Sequence, residues 1–146
     1  MTTKSHAIAM PPSRGECILL LALVGGALVV SGIAPRDRLT WFMEVVWVIV
    51  ALPLLCWCWP RFPLTRLLCW PLPAHALVLI HGGAHTYAET PLGFWLRDTF
   101  GFQRNPWDRV GHFMQGFVPA ILARELLLRL TPLKRGRWLF YLVLAA

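Results

Sequence analysis

The chain has 146 residues, room for one domain, and is 57% apolar and only 14% charged with eight Trp. That composition excludes an ordinary soluble globular domain. The net charge of +7 raises nucleic acid as a partner, but the basic residues stand in small groups beside apolar runs, the pattern of membrane flanks. The chain therefore reads as an all-α, multi-pass transmembrane helix bundle, with the lipid bilayer and not nucleic acid as its partner.

Residues 1–16 form a polar lead-in with Lys4, Arg14 and Pro11-Pro12, and a transmembrane domain fills residues 17–146. The run 17–34 is apolar throughout and long enough to span. Gly32-Ile33-Ala34 fits a signal-peptide cleavage triplet, but the core is long for that role and further spans follow, so a retained span is favoured. After the turn Pro35-Arg36-Asp37-Arg38, a second span covers residues 39–59. Glu44 lies one turn inside it, and Trp57 and Trp59 suit an interfacial belt.

A third span is expected over 67–87, with Pro71 and Pro73 near its start and Gly82-Gly83 near its end; neighbouring helices can satisfy the backbone groups these residues free. Residues 89–106 make the longest connection, an aromatic one (Phe94, Trp95, Phe100, Phe102) expected to pack on the bundle or lie in the interface. Asn105-Pro106-Trp107-Asp108 then signals a helix start, with Asn105 as N-cap. A fourth span follows over 110–130, kinked near Pro119. The last run, 138–146, covers about 13 Å at 1.5 Å per residue and reads as the truncated start of a fifth span.

Lysine and arginine divide unevenly between the two sides. Lys4, Arg14, Arg61, Arg66, Arg129, Lys134, Arg135 and Arg137 face Arg36, Arg38, Arg97, Arg104 and Arg109. The excess places the amino terminus in the cytoplasm and the aromatic connection outside. The four cysteines (17, 56, 58 and 69) have no metal or redox spacing and read as small apolar fillers.

Most of the polar chemistry is concentrated in residues 81–115. Four of the five histidines lie between His75 and His112, and polar groups set among apolar helices are costly enough to ask for a reason. His81 and His85, four apart, share a helix face at a spacing that can grip a metal, though without the glutamate of a zinc-protease helix. Hydrogen bonding near a helix end is the plainer role for them. Asp108 and His112 are also four apart, with Gln115 three further on. An acid fixing an imidazole tautomer serves a general base or a metal ligand, so His112, Asp108 and Gln115 are the candidate catalytic residues, and His112, His81 and His85 the candidate metal ligands. Helix capping by Asp108 and interhelical bonding by His112 is the structural alternative. Glu125 has Arg129 as its nearest partner, and Glu44 reads as an interface or interhelical contact in preference to a proton carrier.

Thr86-Tyr87-Ala88-Glu89, Pro91-Leu92-Gly93-Phe94-Trp95, the run from Asp108-Arg109-Val110-Gly111-His112 through Gln115-Gly116-Phe117-Val118-Pro119-Ala120, and Arg124-Glu125 closely resemble the YjdF-type bacterial inner-membrane proteins, a domain of unknown function. The resemblance implies a multi-pass protein of the bacterial inner (cytoplasmic) membrane and supplies no activity or cofactor. Members of that family typically read Gly-Gly-His-Tyr-Thr-Tyr, whereas Gly82-Gly83-Ala84-His85-Thr86-Tyr87 sets the histidine one place later. They also continue into acidic segments that would be natural partners for Asp108 and His112.

Several classes of function follow from these residues. One is a membrane-embedded, metal-assisted hydrolase or lipid-modifying enzyme with His112 as base or ligand. Others are a transporter module lined by the polar face, and a structural protein that assembles with a second copy or with another membrane protein. The last is a truncated product without activity of its own.

Overall fold

A computed structural model describes residues 12–145, so most of the polar lead-in, Lys4 included, and the final Ala146 lie outside the described residues. Every regular element in it is helical: α1 Arg14–Ile33, α2 Arg38–Cys58, α3 Arg66–Cys69, α4 Pro71–His85, α5 Pro91–Phe100, α6 Trp107–Leu130 and α7 Arg137–Leu144, with a 3-10 turn at Tyr87–Glu89.

Local chemistry sets the helix ends. A capping box starts α1: the Glu16 N–H donates to Ser13 Oγ at 3.2 Å, and the Ser13 N–H returns a bond to the Glu16 carboxylate at 2.6 Å. Pro35 stops that helix, because the residue before a proline is pushed out of the helical region; Ala34 sits at φ −143° and ψ 63°. Asp37 caps α2 by accepting the Thr40 N–H at 2.7 Å, and this bond holds its carboxyl below the ordinary carboxylate range. The third span is interrupted at Trp70, where Pro71 and Pro73 follow, and α4 ends at His85 rather than at residue 87.

Among the described residues three helical stretches are long and apolar enough to cross a membrane: Arg14–Ile33, Arg38–Cys58 and Arg66–His85. The fourth, α6, has 24 residues, roughly 36 Å at 1.5 Å per residue against a hydrocarbon core of about 30 Å. Its charges gather toward its two ends, Asp108 and Arg109 at one and Arg124, Glu125 and Arg129 at the other. The protein is thus an all-α multi-pass membrane bundle, and α6, expected from sequence as a fourth span, is long enough to cross but more polar than the other three.

Helix α4 is the centre of the bundle. It packs against α1, α2 and α6, while α7 packs on α6. Two apolar clusters hold these helices, one of Val24, Val45, Val48, Leu79 and Ile80 and one of Leu20, Leu64, Leu68, Cys69 and Val118. Large side chains elsewhere point outward, Ile18, Val29, Trp47 and Trp57 among them. Such a surface is stable against lipid tails, where helix association comes from close packing and polar contacts and not from the hydrophobic effect. The aromatic connection, expected as a loop, contains α5. It is closed by Gly101 in the left-handed region at φ 69°, with the Phe102 N–H donating to the Arg97 carbonyl at 3.0 Å.

Candidate functional site

The polar residues collect at the two ends of the bundle. At one end, the turn between α1 and α2 meets the end of α4, where the Arg36 N–H donates to the Ala84 carbonyl at 3.0 Å and the Arg36 side chain pairs with Glu89. Helix α4 breaks at Thr86, whose φ of 56° is unusual for a β-branched residue. That break turns Tyr87 back into the bundle. A Cβ on Gly82 would meet the Tyr87 ring at 2.5 Å and one on Gly111 would meet it at 2.6 Å, so the ring lies where only glycine permits α4 and α6 to approach it. The Tyr87 hydroxyl then donates to Glu44 on α2 at 3.0 Å. Glu44 is accordingly an interhelical contact.

His81 and His85 come together on one face as their spacing implies, with ring centroids 4.9 Å apart. Trp107, the first residue of α6, stands edge-on to His81 at 5.1 Å. Beside them Asn105 ties the start of α6 to α5: its amide donates to the Thr90 carbonyl at 3.1 Å, and its oxygen accepts the Trp107 N–H at 3.0 Å. Asn105 therefore caps the helix as expected of the residue type, although the boundary residue itself is Pro106.

Asp108, His112 and Gln115 follow one another along a single side of α6, and the side chains of His112 and Gln115 are exposed. No hydrogen bond joins Asp108 to His112. Its carboxylate accepts the Arg109 N–H at 2.8 Å and lies 3.9 Å from the Arg104 guanidinium, an exposed pair of small energetic value. Among the described residues no three His, Cys, Asp or Glu side chains converge as a metal site would require. His112 thus stands apart from the His81–His85 pair.

At the opposite end of the bundle Glu125, 6% exposed, accepts the Thr65 N–H at 3.1 Å, the Thr65 hydroxyl at 2.6 Å and an Arg129 N–H at 2.8 Å. Arg129 also donates to the Pro63 carbonyl at 2.7 Å and stacks over the Phe62 ring at 3.6 Å. The carboxylate caps α3 from sixty residues away. Helical spacing identifies Arg129 as its partner, whereas nothing in the sequence pairs it with Thr65. The four cysteines are free thiols.

A family model described as "Predicted membrane protein (DUF2238)" matches residues 17–146. The chain belongs to that family. It is 48% identical over 102 residues to the "Inner membrane protein YjdF" of Escherichia coli (strain K12), an alignment covering 70% of this chain and 49% of that protein. The chain spans about half the length of the curated relative it matches. No solved structure matches.

Tyr87 is the interhelical contact least legible in sequence. The only available signal was the placement of Gly82 and Gly111 on either side of it in the chain, which is weak until the helices are packed.

Proposed function

We propose that this DUF2238 chain is an inner-membrane helical module whose working surface is the outward side of α6, with His112 as base or metal ligand and Asp108 and Gln115 beside it. The observation that carries this reading is a contrast. Glu44 and Glu125 are consumed by partners inside the bundle, while His112 and Gln115 are exposed on a membrane helix, where an unpaired polar side chain is expensive. A second polypeptide surface docked on that side supplies the remaining groups, and the chemistry open to such a site is metal-assisted hydrolysis or lipid modification. The basic excess supports an orientation with the amino terminus and the Glu125 end in the cytoplasm and the Tyr87 end outside.

The test is a cobalt titration of the histidine-labelled protein in lipid nanodiscs, read by NMR. The expected result is paramagnetic broadening of the His112 ring resonances, reduced in Asp108→Asn. Broadening confined to His81 and His85, or none, sinks the reading. Assembly is the second reading. Gly116 has open space around it and the stacked pair Phe113–Phe117, 5.3 Å apart, faces outward, a small-residue and aromatic surface suited to a second copy or another membrane protein.

A further inference from the structure

Helix α5 carries an apolar stripe that the described residues leave largely uncovered. Leu92, Trp95, Leu96, Thr99 and Phe100 recur at the spacing of one helix face. Leu92 is 44%, Trp95 57% and Phe100 64% exposed. The polar side holds Arg97 and Asp98, paired at 2.7 Å. Gly93, off the stripe, is buried against Asn105, and the 3-10 turn at Tyr87–Glu89 packs beside the helix. The Gly93 contact fixes the rotation of α5 about its axis, so the direction of the stripe is a property of the fold.

Two observations bear on what the stripe meets. Helix α5 is about 15 Å long at 1.5 Å per residue. Short connections tie it to the end of α4 at His85 and to the start of α6 at Trp107, which holds it at the level where those helices end. Leu92, on the stripe, lines an open groove between α1 and α4 together with Val30 and Ile33. Those two side chains are among the most exposed on α1, a membrane-crossing stretch, so they face acyl chains. The stripe is thus continuous with a lipid-facing surface. An amphipathic helix with Trp and Phe on its apolar side lies in the plane of a bilayer, that side sunk roughly 5–10 Å into the boundary of headgroups and acyl chains. We propose that α5 is an interfacial helix docked on phospholipid at the Tyr87 end, with Leu92, Trp95 and Phe100 among acyl carbons and Arg97 and Asp98 at the headgroups. His112 and Gln115 take no part in this surface, so it stands or falls apart from the α6 site.

The test is fluorine NMR of the whole chain labelled with 5-fluorotryptophan, in nanodiscs of phosphatidylcholine and phosphatidylglycerol. The Trp95 resonance is assigned by its loss in Trp95→Phe. One sample contains lipid with a nitroxide near the head of an acyl chain, and another a water-soluble gadolinium chelate. The lipid nitroxide should broaden Trp95 more than gadolinium does. Phe100→Trp adds a second probe on the stripe and should behave alike, whereas Asp98→Trp puts one on the polar side, where gadolinium should act more strongly. Gadolinium broadening at Trp95 equal to or above that of the nitroxide would place the stripe in water and overturn the proposal. Protection of Trp95 from both agents, as a second copy or another protein laid over it would give, overturns it too, as does the absence of a contrast between Phe100→Trp and Asp98→Trp.

Discussion

The Tyr87 hydroxyl donates to Glu44 Oε2 at 3.0 Å, joining the turn after α4 to the middle of α2's first half across 43 positions of sequence. This bond gives a membrane-embedded carboxylate its partner, and it exists because the Tyr87 ring fits between two glycines. Tyr87→Phe should therefore destabilise the bundle by about 1–3 kcal/mol, the desolvation left on an unsatisfied buried acceptor. Glu44→Gln keeps an acceptor and should lose less. Unfolding in mixed micelles, followed by circular dichroism, measures both; equal stability of Tyr87→Phe and parent would show the bond to be idle.

Gly111 and Gly82 should be intolerant of even one carbon. A Cβ at either would approach the Tyr87 ring to within 2.6 Å or less, so Gly111→Ala or Gly82→Ala should cost about 1–3 kcal/mol through overpacking. The same substitutions made on a Tyr87→Ser background should cost little. A double-mutant cycle reads the difference directly, and a coupling near zero would contradict the placement of the ring.

The Glu125 network predicts a graded series. Glu125→Ala leaves the Arg129 charge without its carboxylate and should cost about 3–5 kcal/mol, as when one partner of a buried pair is removed. Thr65→Ala loses one hydroxyl bond and should cost about 1 kcal/mol. Arg129→Lys keeps the charge but loses the stack over Phe62 and should fall between them. The order of the three unfolding midpoints is the measurement.

Thr86 gives a prediction of the opposite sign. Its φ of 56° is unfavourable for a β-branched residue by about 1–3 kcal/mol. Thr86→Gly should relieve that strain, less the backbone entropy glycine adds to the unfolded chain, and raise the unfolding midpoint. A lower midpoint would mean that the threonine side chain contributes more than its backbone gives up.

Orientation is checked by fusions. Alkaline phosphatase inserted after Arg38 should be active and that inserted after Arg61 inactive, as the distribution of basic residues requires. The reverse pattern would place the Tyr87 end in the cytoplasm.

The sequence by itself determined that this is a multi-pass helical membrane protein, because apolar run length and charged flanks report directly on bilayer thickness and are local along the chain. Spacing of four likewise brought His81 to His85 and Glu125 to Arg129, since a helix turns by the same angle wherever it sits. Local rules failed where backbone and packing competed. The end of α4 at Thr86, the helix within the aromatic connection, and the pairing of Asp108 with Arg104 were not legible. Only tertiary structure decided that Tyr87 meets Glu44, that Thr65 meets Glu125, and that Trp107 comes beside His81. Those pairs join helices whose relative rotation and depth are set by how closely their backbones can approach, a property of the packed bundle that no single helix carries.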